Sequence, residues 1–212
     1  MALMAQHSRE SVTIRPGVEM PDWSAVASPR AEEALAAIVK LFRFADGFAE
    51  YSAAEDLVRR TLIALYGKSG VAPSAVEIAM AARFEQGQTE AALDALSRRD
   101  LVVLDEESGA VKGAYPFTER DTGHRVRLGS AVLNAMCAVD ALGTGAMFAR
   151  DCEIDSSCRQ CGAMIRVTTA GDGERLASVA PESAMVWNGI YYEGQAATSL
   201  CTVIAFFCTP AH

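Results

Sequence analysis

The spacing of apolar positions divides the chain into a helical first half and a strand-rich second half. Residues 1–27 follow neither period and, with Pro16 and Pro21, read as a flexible N-terminal arm. A helix is expected from Ser28, which suits an N-cap, with Pro29 at the first helical position and Glu32 and Glu33 where the helix dipole favours acid. Leu35, Ile38, Val39 and Phe42 recur at helical spacing along it, and Gly47 is read as its end.

Helical patterns follow over 52–66, 73–84 and 88–99, then strands over 100–105 and 109–117 joined by the turn-rich Glu106-Glu107-Ser108-Gly109. Three helices and a hairpin is the order of a winged helix-turn-helix. The third helix of such a module normally carries basic or amide side chains into the major groove. Here it offers Glu90 and Asp94, with Arg98 and Arg99 only at its end, so the module is read as structural and nucleic acid is not expected as a partner. Beyond Thr122 the pattern gives a strand over 124–128, a helix over 131–142, and strands over 161–169, 175–181, 183–192 and 200–208. The expected class is α+β: a winged-helix-like region over 28–121, then a mostly antiparallel sheet flanked by helices over 122–212.

Composition narrows the partners. Half of the 212 residues are hydrophobic, enough for a sizeable core, and the net charge of -8 disfavours phosphate backbones and anionic membranes. The first residues lack a basic stretch followed by an apolar one, and no run is long enough to span a bilayer, so a soluble cytoplasmic protein is expected. All six cysteines, at 137, 152, 158, 161, 201 and 208, fall in the second half. A reducing compartment would keep them as thiols, and several serve as small buried hydrophobes.

Several motifs fail. The Gly-Lys-Ser at 67–69 ends like a phosphate-binding loop, but Leu62 stands where its first glycine belongs. His7, His124 and His212 are read as falling nowhere at metal-ligand spacing. Cys158 and Cys161 have zinc-knuckle spacing, and Cys201 with Cys208 could complete a four-thiolate site. The gap between Cys201 and Cys208 is loose, however, and on an extended strand the two would face opposite ways, so buried thiols are the preferred reading.

Cys137 and Asp140 carry more. On a helix an i, i+3 pair shares a face, and Asp140 is flanked by Val139, Ala141 and Leu142, poor company for a solvated acid. A carboxylate does not activate a thiol by charge, because like charges raise its pKa. It can accept the proton that a soft metal displaces from sulfur and deliver it elsewhere. Cys201, read as lying on a buried strand, is the obvious second thiolate.

Taken together, Cys137-Ala-Val-Asp140, the segment 156–168 around Cys158 and Cys161, and the segment 199–207 around Cys201 and a paired Phe resemble the bacterial organomercurial (alkylmercury) lyases. The resemblance covers roughly residues 52–208. It implies protonolysis of a carbon–mercury bond to a hydrocarbon and Hg(II), with Cys137 and Cys201 binding mercury and Asp140 relaying the proton. It makes Cys158 a buried non-catalytic cysteine. It implies no cofactor beyond an external thiol that removes Hg(II), and small thiols or a mercuric reductase as the metal's acceptor. Met136 stands where members usually carry an aromatic, which bears on pocket shape. The alternative is a thiol-based protein that binds or senses soft metals without cleaving carbon, a role that needs the cysteines but not Asp140.

Overall fold

The computed structural model describes residues 28–42 and 52–212. The expected arm at 1–27 and the helix end at Gly47 lie outside the described residues. The chain forms two compact units, Met1–Asp56 and Leu57–His212. In the first, helix α1 spans Pro29–Phe42, and Ser28 caps it by accepting from the Ala31 N–H at 3.2 Å. The apolar side chains expected along α1, Leu35, Ile38, Val39 and Phe42, also lie outside the described residues. Helix α2 (Ala53–Ser69) starts in this unit with reciprocal capping between Ser52 and Glu55, at 2.7 and 3.1 Å.

The second unit continues α2 and adds α3 (Ala75–Ala82) and α4 (Gln86–Arg98). Ser74 and Glu77 form a capping box at the start of α3, and Arg83 closes it in the left-handed conformation. Val58, Leu62 and Tyr66 of α2, Ile78 of α3 and Leu96 of α4 are fully buried, so each helix turns one face to the core. Tyr66 also donates to Glu119 at 2.6 Å, and its ring lies 5.4 Å from that of Phe117, tying α2 to the sheet. No helix among the described residues is long and apolar enough to cross a membrane.

Eight antiparallel strands make the main sheet: β1 (Val102–Leu104), β2 (Val111–Ala114), β3 (Phe117–Thr118), β4 (Arg125–Leu128), β5 (Ala131–Ala135), β6 (Glu153–Ser157), β7 (Met164–Ala170) and β8 (Arg175–Ala180). Their order is β1-β2-β3-β5-β4-β6-β7-β8, so the hairpin that follows the helices is continuous with the strands beyond residue 122. A smaller sheet pairs β9 (Met185–Asn188) with β10 (Ile204–Phe207). The α+β class is that expected from the sequence.

Two elements that carry the expected chemistry differ from their sequence reading. The helix expected over 131–142 is instead β5, then helix α5 (Ala138–Met147). Ala131, Leu133 and Ala135 are buried and Val132 is exposed, a period of two that is hard to tell from a helical run when residues are small and apolar. Cys201, expected on a strand, lies in a 3-10 helix at Leu200–Val203. There Ser199 and Thr202 turn their hydroxyls onto the Gln195 and Ser199 carbonyls at 2.5 Å each, competing with strand pairing. Strand β6, absent from the sequence reading, alternates Ile154 and Ser156 inward between β4 and β7. At the other end of α5, Gly173 (φ +83°) in the β7–β8 turn lies against Gly145, where a Cβ would come within 2.1 Å of backbone.

Candidate active site

Strand β5 delivers Met136 and Cys137 to the start of α5. Backbone bonds hold the approach: Ala135 N–H to the His124 carbonyl and Met136 N–H to the Pro116 carbonyl, both at 2.9 Å. Cys137 is extended (φ -151°, ψ 178°) and is the N-cap of α5, its Sγ accepting from the Asp140 N–H at 3.4 Å. The two residues therefore meet across a helix cap rather than along a helix face. A residue three beyond the cap turns back toward it, which brings thiol and carboxyl to one end of the helix.

Cys201 arrives from the 3-10 turn, its N–H bonded to the Ala196 carbonyl at 2.8 Å. Its Sγ donates to Asp140 Oδ2 at 3.9 Å. The two sulfurs and a carboxylate oxygen all lie within 4.8 Å of one another. Cys137 and Cys201 are buried and Asp140 is half-buried. Loss of solvation raises the Asp140 carboxyl to about 6, against hydrogen bonds from Cys137 and Cys201 that favour its ionised form. The Cys201 sulfur, then burial, then the charge of Asp140 hold the Cys137 thiol well above its usual range.

Asp100, left-handed at φ +60° just after α4, anchors the segment that leads to Cys201. It accepts from the Ala196 N–H at 2.8 Å, from Tyr192 at 3.3 Å and from Tyr115 at 3.4 Å. Burial, then the charges of Asp100, Cys201 and Asp140 in turn, raise the Tyr115 phenol well above its usual range. Neither Asp100 nor Tyr115 was singled out in the sequence, because their link to Cys201 runs through contacts between distant parts of the chain.

Cys201 and Met136 line a cavity of about 310 Å³, with His124, Arg120, Arg159 and Thr198 also in its wall. His124 is buried against Ser156 at 2.8 Å, and burial, then Arg159, lowers its pKa and keeps it neutral there. Two thiols and a carboxyl beside a cavity make a donor set that suits a soft metal ion.

The other four cysteines stand apart from this cluster. Cys152 is buried beneath Thr169, whose hydroxyl accepts its N–H at 2.8 Å. Cys158, Cys161 and Cys208 gather with His212, which corrects two sequence readings: Cys201 does not join them, and His212 does stand at ligand spacing. The signal was in the sequence as Cys208-x3-His212, obscured by taking Cys201 and Cys208 as one pair on one strand.

Residues 117–212 match the model of the alkylmercury lyase family. The alkylmercury lyase of Staphylococcus epidermidis is 34% identical over 113 residues, 52% of this chain and 50% of that protein. The chain thus spans about half the length of the curated relative it matches. In fold it is similar to a protein named MerB2, solved in its mercury-bound form, with a TM-score of 0.65 at 22% identity over 82% of each chain. The likeness to the alkylmercury lyases expected from the sequence is therefore found in sequence, over part of the chain.

Proposed function

We propose that this chain, similar to the alkylmercury lyases over residues 117–212, cleaves carbon–mercury bonds by protonolysis, with Cys137 and Cys201 as mercury ligands and Asp140 as the proton relay. The observation that carries the reading is the approach of the Cys137 and Cys201 sulfurs and the Asp140 carboxylate to within 4.8 Å of one another. A thiol takes the mercury of R–Hg–X and loses its proton to Asp140 as X leaves. Asp140 passes that proton to solvent with X, the second thiol then joins the mercury and gives its own proton to Asp140, and the thiolate so formed raises electron density along the Hg–C bond. Asp140 then returns its proton to carbon, the Hg–C electron pair becomes the new C–H bond, and R–H departs while Hg(II) stays on two sulfurs. A carboxyl raised to about 6 suits both halves of this transfer near neutral pH.

Cys201 is the cluster member that lines the cavity, so it meets the substrate first, and Met136 shapes the space for the organic group. Small thiols or a mercuric reductase take the Hg(II) away, and the chemistry calls on no cofactor. Nucleic acid has no part in this reading. Glu90 and Asp94 are exposed on α4, the helix that would have to enter a groove.

The test is incubation with phenylmercury and excess thiol, with benzene measured by gas chromatography. Benzene released in proportion to enzyme is the expected result. Stoichiometric mercury binding without benzene would instead make the protein a soft-metal binder.

A further inference from the structure

The second cysteine cluster has metal-site geometry of its own. Cys208 Sγ lies 3.2 Å from His212 Nδ1, Cys158 Sγ lies 3.4 Å from the same nitrogen, and Cys161 Sγ lies 3.7 Å from Cys208 Sγ. All four donor atoms fall within 4.8 Å of one another. Tetrahedral zinc, with sulfur at about 2.3 Å and nitrogen at about 2.0 Å, would space its ligands by about 3.8 Å between sulfurs and about 3.5 Å between sulfur and nitrogen. Those three pairs already stand close to these values.

The backbone is shaped for the same purpose. Between β6 and β7 the chain closes a tight knuckle: the Gly162 N–H bonds to the Cys158 carbonyl and the Cys158 N–H to the Ala163 carbonyl, both at 2.8 Å, with Gly162 at φ +73°. Cys158 and Cys208 are buried whereas Cys161 and His212 are exposed, which leaves a path for the ion. We propose that Cys158, Cys161, Cys208 and His212 form a structural zinc site of Cys3His type, separate from the Cys137–Asp140–Cys201 cluster.

The site would join the β6–β7 turn to the residues after β10, positions that are 47 residues apart at Cys161 and Cys208. The β9–β10 sheet is not paired with the eight-stranded sheet, and its ties to this turn include the Arg159 N–H to the Phe206 carbonyl at 3.0 Å and the Arg159 guanidinium to the Thr202 carbonyl. Zinc would close that junction beside the 3-10 turn bearing Cys201, and a complete set of four protein ligands fits a structural rather than a catalytic ion.

The test is metal analysis of the full chain, produced in zinc-supplemented medium and never exposed to mercury. About one zinc per chain is expected in the wild type and in Cys137→Ala and Cys201→Ala, with most of it lost in Cys208→Ala. Cys161→Ser and His212→Gln, at exposed positions, give the same readout if Cys208→Ala does not fold. Cobalt in place of zinc should give the thiolate charge-transfer absorption of a tetrahedral site in the wild type and in Cys201→Ala, but not in His212→Gln. A wild type that holds neither zinc nor cobalt overturns the proposal, as does zinc that depends on Cys201 but not on Cys208, or a Cys161–Cys208 disulfide in the isolated protein. None of these readouts uses carbon–mercury cleavage, so the lyase reading stands or falls separately.

Discussion

Cys137 caps the helix that carries Asp140: its sulfur accepts the Asp140 backbone N–H at 3.4 Å, so one residue serves both as N-cap and as proposed mercury ligand. The two roles separate by substitution. Cys137→Ser keeps a good cap and removes the soft ligand, whereas Cys137→Ala removes both. Cleavage of phenylmercury should be lost in both variants. Thermal unfolding should show Cys137→Ser at or above the wild-type stability and Cys137→Ala up to about 1 kcal/mol less stable. A serine variant that still releases benzene at the wild-type rate would remove Cys137 from the mechanism.

Asp140 accepts the thiol proton only as the carboxylate, so cleavage should fall as pH drops through about 6, the value to which burial raises this group. Asp140→Asn should release benzene about 100-fold more slowly and lose the acid limb near that pH, while still retaining Hg(II) on the two sulfurs. Rate–pH profiles of the two proteins, with mercury retention measured alongside, check both points.

The same shift has a consequence for stability. Asp140 holds its proton to about 6 when folded and to about 3.8 when unfolded. Between those values the folded chain binds more proton, so its stability falls as pH rises and is lowest, through this group, above about pH 6. The effect amounts to about 3 kcal/mol at most. Asp140→Asn carries no such penalty and should melt higher than the wild type near about pH 8, with the difference closing toward about pH 4. Melting curves across that range would contradict the assignment if the gap stayed constant.

Asp100 holds the segment before Cys201 through the Ala196 N–H and the Tyr192 and Tyr115 hydroxyls. Asp100→Ala leaves these donors without their acceptor and should cost roughly 1–3 kcal/mol in chemical denaturation. Cleavage should fall with it through misplacement of Cys201, while Asp100→Asn, which keeps an acceptor oxygen, should recover most of both losses. Full activity in Asp100→Ala would show that Cys201 is placed without this anchor.

Much of the architecture is local and was legible from the chain. Helical patterns over 52–66, 73–84 and 88–99 mark α2, α3 and α4, and strand patterns over 124–128, 161–169 and 175–181 mark β4, β7 and β8. The suspicion attached to Asp140 was legible too, because an acid among small apolar residues lacks a solvated neighbourhood. What misled was secondary structure at the chemistry itself, where β5 reads as helix and the turn bearing Cys201 reads as strand.

The amino-acid order determined which thiols and carboxyls the chain possesses, the class of its fold and its likeness to the alkylmercury lyases. The tertiary structure decided which of those groups meet. Asp140 and Cys201 are 61 residues apart, and they approach because a strand-to-helix cap and a 3-10 turn converge. Cys208 turns to Cys158, Cys161 and His212 rather than to Cys201 because β10 begins only after Cys201, so the two residues never share one strand. Local propensity acts over a few residues at a time, whereas these meetings depend on strand pairing and burial across the whole sheet, which no short window of sequence contains.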